Sequence, residues 1–169
     1  MRKMLIISFL FLLLNFQQET PAQVSEPIHV NTLRGFDQLE PYLHRKNDSI
    51  YIVNFWATWC TPCRKEMPAF DMIQKQYANK KVKVLLVSLD LPNQLETSLI
   101  PFIRKNKLSP EIVLLDDPHQ NLWIDKVDAK WSGALPFTLI YGRNFRTSYE
   151  RTFHYNELDS IIKLKLNIP

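Results

Sequence analysis

Ser49-Ile50-Tyr51-Ile52-Val53-Asn54-Phe55-Trp56-Ala57-Thr58-Trp59-Cys60-Thr61-Pro62-Cys63-Arg64-Lys65-Glu66-Met67-Pro68 is the stretch on which the fold turns. Ser49 to Trp56 is rich in β-branched and aromatic residues and apolar on both faces, the pattern of a buried central strand. Ala57 to Cys60 then form a turn. A helix should start near Thr61-Pro62, because a proline in the first turn gives up an N–H that has no helical partner anyway. Phe70, Ile73 and Tyr77 supply its core face. Pro68 lies inside it and should kink it against the carbonyl of Arg64.

Working outward, Val82 to Ser88 reads as a second buried strand and Glu111 to Leu115 as a third, closed by Asp116-Asp117-Pro118. Helical segments are expected over Phe36–Leu43, Leu95–Lys107 and Asn121–Val127, with Pro41 and Pro101 complicating the first two. Ile28 to Val30 is a short candidate strand. Phe137 to Tyr141 and Arg146 to Phe153 should pair as a hairpin through Gly142-Arg143-Asn144. Glu157 to Leu166 is a closing amphipathic helix, with Leu158, Ile161, Ile162 and Leu166 inward and Asn156 as N-cap. Strands alternating with helices imply an α/β layer fold around a mixed sheet, its parallel strands joined by right-handed crossovers.

The chain has 169 residues, 46% hydrophobic and 22% charged, which suits one globular domain. Two cysteines are too few for a disulfide framework or a four-thiolate zinc site. His29, His44, His119 and His154 show no metal-ligand spacing, so no metal is expected. A net charge of +4 gives no argument for nucleic acid. Residues 1–22 stand apart from residues 23–169. Arg2 and Lys3 precede the apolar run Met4 to Phe16, and Thr20-Pro21-Ala22 ends it with small residues, the layout of a secretory signal. The run falls short of the ~20 residues that comfortably span a bilayer. The alternative is an uncleaved anchor, and either way the rest of the chain is exported.

Cys60-Thr61-Pro62-Cys63 is the motif that carries chemistry. Residues three apart on a helix share a face, so two sulfurs at a helix start can meet without backbone movement. The partial positive charge of a helix N-terminus stabilises a thiolate there, and in such motifs the thiol pKa falls to about 3.5–7.5. Two blander uses compete. A structural disulfide closing four residues would contribute only about 2 kcal/mol on chain-entropy grounds. A Cu(I) carrier would recruit further soft ligands, whereas Met67 and Met72 in the same helix suit core packing.

The block Asn54 to Pro68 resembles the active-site block of thioredoxin-like proteins and, more narrowly, is similar to that of the exported TlpA/ResA-like thiol–disulfide oxidoreductases. Leu135-Pro136-Phe137-Thr138 looks like that family's cis-proline loop before a strand. Asn54 stands where thioredoxin itself has a buried aspartate, Glu66 where TlpA/ResA-like members carry a glutamate, and Leu95–Leu115 looks like their central insertion. Two details depart from the pattern. Tyr141-Gly142-Arg143-Asn144 replaces the family's Asp-x-x-Gly hairpin, and the glycine usual before the last helix is missing near Phe153-His154.

The resemblance implies a three-layer thioredoxin-like fold, a central mixed β-sheet flanked by helices with a central insertion. It also implies thiol–disulfide exchange. Cys60, at the exposed helix end, is the expected nucleophile and Cys63 resolves the mixed disulfide. Glu66 is expected to tune the thiols and take the proton of Cys63; the competing reading is a solvated acid. Pro136 is expected cis, holding the Leu135 backbone beside Cys60 for an incoming strand. Trp59, Pro62, Ala134 and Leu135 would form an apolar substrate rim, with Trp131 either joining it or belonging to the core. Arg64 and Lys65 read as a solvated basic edge. The expected function is reduction of disulfides in exported, periplasmic protein partners, as in cytochrome c maturation. A membrane or exported redox partner would renew the dithiol, with no organic cofactor and no nucleic acid. An oxidase or isomerase role, or a Cu(I)-binding module, would use the same residues.

Overall fold

The computed structural model describes residues 28–167; the 1–22 signal or anchor lies outside them. Four parallel strands form most of a six-stranded sheet: β1 (Asn31–Arg34), β2 (Ile50–Trp56), β3 (Val82–Ser88) and β4 (Glu111–Asp116). Two more, β5 (Phe137–Gly142) and β6 (Phe145–Tyr149), run antiparallel to β2 and to each other respectively. The spatial order is β1-β4-β3-β2-β5-β6. β4 therefore enters between β1 and β3, so the segment expected as a central insertion delivers a strand that lies second from the β1 edge.

All seven residues of β2 are buried, because helices cover both sheet faces. On one face Ile50, Ile52 and Trp56 meet α2 (Thr61–Gln76), α3 (Ile100–Asn106) and α5 (Tyr155–Leu166). On the other, Tyr51, Val53 and Phe55 meet α1 (Phe36–Leu39), α4 (Ile124–Val127) and Trp131. The alternation is the period-two consequence of the pleat. Phe55 is the centre of the second face, with its ring 4.8 Å from Trp131, 6.1 Å from Phe137 and 6.2 Å from Trp123.

Several boundaries differ from the sequence reading. The first strand is Asn31–Arg34 rather than Ile28–Val30; it is an edge strand, and pairing with β4 rather than hydrophobicity sets its position. Pro41 breaks the first helix into α1 and a 3-10 turn at Glu40–Leu43. Leu95–Leu99 is a π-helical turn leading into α3. β6 stops at Tyr149, four residues early, because Glu150 turns away to accept from Ser132. The last helix is capped at His154 instead of Asn156, with the Glu157 carboxylate accepting from the His154 N–H at 2.8 Å. As expected, Pro68 lies inside α2, where it is exposed. Among the described residues no helix is long and apolar enough to cross a membrane.

Phe55→Ala should cost about 3–5 kcal/mol, since a fully buried aromatic is removed from a cluster of fixed rings. Urea unfolding of the oxidised protein measures it.

Candidate active site

β2 delivers the chain to Ala57 at the carboxyl end of the parallel strands, and α2 leaves from Thr61. The four residues between are fixed from below. Asp90, just after β3 and only 2% exposed, accepts from the Thr58 N–H at 3.1 Å and from the Thr58 hydroxyl at 2.5 Å. The Ser88 hydroxyl donates to the same carboxylate at 2.7 Å. The Cys60 N–H donates to the Ala57 carbonyl at 3.1 Å, closing the turn.

Cys60 is the N-cap of α2, and its Sγ accepts from the Cys63 N–H at 3.3 Å. The two sulfurs are joined as a disulfide, with Cα atoms 5.3 Å apart. Both are buried, but Cys60 keeps 6% of its surface while Cys63 keeps none. Cys63 begins the inward stripe of α2, which continues through Glu66, Met67, Phe70 and Ile73. Cys60 precedes that stripe and opens onto a groove of about 500 Å³.

The groove gathers the expected rim: Trp59, Pro62, Ala134 and Leu135 line it with Leu89 and Gln120. Trp59 is 59% exposed. The Leu135–Pro136 peptide is cis. Trp131 is not a rim residue but core, stacked on Phe137 at 4.3 Å. Its indole N–H donates to the Ala134 carbonyl at 2.8 Å, so it supports the rim from beneath. Arg64 and Lys65 are exposed, as a solvated edge requires.

Glu66 is 2% exposed, which removes the surface-acid reading. Its carboxylate accepts from the Asn54 amide at 2.9 Å and from the Phe153 N–H at 2.8 Å. Asn54 lies on the same sheet face as Ile52 and Trp56 and therefore points at α2. Directly across the β2–β5 ladder sits Thr138, whose hydroxyl oxygen accepts the other amide hydrogen of Asn54 at 3.0 Å. Burial pushes the Glu66 carboxyl up to about 7, against the opposing pull of Phe153, Asn54 and the charge of Arg151. Beside it a second cavity of about 330 Å³, lined by Pro62, Lys65, Thr152 and His154, leads to Glu66.

The sequence profile of the AhpC/TSA family matches residues 37–146. The chain belongs to that family. The chain is similar to the Bacillus subtilis sporulation thiol-disulfide oxidoreductase A, 34% identical over 50% of this chain and 49% of that one. Another relative, thiol-disulfide oxidoreductase ResA of Oceanobacillus iheyensis, is 49% identical over 40% of this chain and 31% of its own length. The chain thus spans about half or less of the length of these curated relatives. Among solved structures, a thioredoxin-related protein of Neisseria meningitidis serogroup B superposes with a TM-score of 0.57 at 28% identity, covering 70% of this chain and 85% of that one. The AhpC/TSA chain described here therefore has the thioredoxin-like layered fold expected from its motif block.

Asp90, Thr138, Trp131 and Phe153 are site residues that motif reading did not single out in these roles. Asp90 carried a faint signal, an acid placed directly after a buried strand at the end where the cysteine turn lies.

Glu66 yields a pH prediction. Its folded pKa of about 7 lies above the ordinary 4.5, so the folded state holds this proton more tightly. The contribution favours folding below pH 4.5, is lost as pH rises toward 7, and is constant above that. A difference of that size is about 3 kcal/mol. Unfolding free energies from pH 4 to 8 should fall for the wild type relative to Glu66→Gln; parallel curves would contradict the assignment.

Proposed function

We propose that this protein is an exported thiol–disulfide oxidoreductase that reduces disulfides of protein partners. The observation carrying the reading is the bonded sulfur pair at the start of α2, of which only Cys60 opens onto an apolar groove. The names of its thiol-disulfide oxidoreductase relatives support the same chemistry.

In the reduced protein the Cys60 thiolate, stabilised by the α2 N-terminus and the Cys63 N–H, attacks one sulfur of a partner's disulfide. A mixed disulfide forms and the partner's other sulfur leaves as a thiolate. Cys63 then loses its proton and attacks Cys60 Sγ. The Cys60–Cys63 bond forms, the partner departs as a dithiol, and two electrons have passed to it. Glu66 lies three residues beyond Cys63 on the same inward stripe, within reach to take that proton. A carboxyl titrating near 7 accepts and releases a proton at neutral pH, and the cavity beside it gives exchange with solvent. Trp59, Pro62, Leu135 and the cis Pro136 would seat the extended partner chain.

The cycle needs no organic cofactor or metal. A second exported or membrane redox protein would return the dithiol to its reduced form, because one CxxC pair holds only one pair of electrons. A periplasmic apocytochrome c is a suitable partner class. Running the cycle backwards gives a disulfide oxidase, and the potential of the couple decides between them: values from about −270 to −120 mV occur across this chemistry.

Cys63→Ser should accumulate a mixed disulfide with a disulfide-bonded protein substrate, while Cys60→Ser should form none. Non-reducing electrophoresis with mass spectrometry distinguishes the two. Trapping through Cys63 in the Cys60→Ser variant, or no trapping in either, would refute the assignment of roles.

A further inference from the structure

The two ends of the sheet carry opposite charge. Because β2, β3 and β4 are parallel and β5 returns antiparallel, the segments entering these strands and the β5–β6 turn lie at the end opposite the disulfide. Residues 44–49, 78–81, 104–110, 143–144 and 163–167 make up this end, and they hold ten Lys or Arg against one acid, Asp48. At the disulfide end, residues 57–65, 89–96, 117–122, 132–136 and 150–157 hold five acids against three bases.

Part of the basic charge has an ordinary explanation. Arg104 and Lys105 close α3, and Lys163 and Lys165 close α5, where cations suit the helix dipole. That account does not reach Arg45 and Lys46 before β2, Lys80 and Lys81 before β3, or Arg143 in the hairpin turn, all exposed. Asp48 pairs with both Arg143 at 2.6 Å and Lys81 at 3.4 Å, so one carboxylate is shared between two cations. Arg143, Arg45 and Lys46 also border an open groove of about 390 Å³.

The chain enters the fold at this same end, since β1 is parallel to β4 and starts at Asn31. Eleven residues separate Ile28 from the apolar run that ends at Phe16. Eleven residues reach at most about 40 Å. With the apolar run kept as an uncleaved anchor, the bilayer would lie within that reach of the end where the chain enters the fold.

We propose that the end of the sheet opposite the disulfide is a docking face for an anionic phospholipid surface. Clustered Lys and Arg beside a membrane-engaging segment attract anionic headgroups over about a Debye length, ~10 Å at 0.1 M salt. The seven residues of β2 then hold the disulfide roughly 20 Å further out, facing soluble partners. This goes beyond the thiol reading and does not depend on it.

The test uses the full chain, with its N-terminal segment, reconstituted in vesicles of phosphatidylcholine alone or with phosphatidylglycerol added. Amine acetylation is read lysine by lysine by mass spectrometry. Labelling of Lys46, Lys80 and Lys107 should fall by roughly threefold or more in the anionic vesicles and recover in high salt, while Lys65 beside the disulfide stays unchanged. Equal labelling in both vesicle types overturns the proposal, as does equal protection of Lys65. Protection that inorganic phosphate alone reproduces also overturns it, because a small anion site would then suffice.

Discussion

The packing of α2 onto the sheet face of Ile52, Asn54 and Trp56 is the contact from which the site's properties follow. A helix presents one stripe inward, and here that stripe is Cys63, Glu66, Met67, Phe70 and Ile73. The register decides which sulfur is hidden: Cys63 lies on the stripe and is sealed, whereas Cys60, as the cap, keeps a small opening onto the groove. It also brings a carboxylate into the interior one turn below the sealed sulfur. Two chemically identical side chains become an outer and an inner thiol through position alone.

Glu66 illustrates how such an interior acid is tolerated. Burial alone would drive it fully to the neutral form, and an unpaired carboxylate without donors would be too costly to keep. The Phe153 N–H and the Asn54 amide each give it one hydrogen bond, enough to bring its titration near neutrality without fixing its charge. Asn54 has a second contact, to Thr138 two residues beyond the cis peptide. One amide thus joins the helix that carries the sulfurs to the strand that follows the substrate loop.

The strands that were plain in the sequence are those whose neighbours demand burial: β2, β3, β4 and β5 are predominantly apolar and mostly buried, and the cysteine pair at a strand–helix junction fixes where the chemistry lies. Asn31–Arg34 was misplaced because an edge strand with polar residues carries little hydrophobic signal. The early end of β6 and the His154 cap were likewise invisible, since each is set by one side-chain acceptor, Glu150 and Glu157. Motif resemblance located Glu66, but its burial depends on Asn54 and Phe153, the latter 87 positions away. The supports of the site, Asp90 under Thr58 and Trp131 under Ala134, follow the same rule: contacts made by topology leave almost no trace in local pattern.

The carboxylate of Asp90 has one further consequence. Its donors are Thr58 and Ser88, groups that take no part in the bond between the sulfurs. The backbone leading into Cys60 is therefore braced by contacts outside the bond that opens and closes. The turn that presents Cys60 is thus anchored to the end of β3 rather than to its own disulfide.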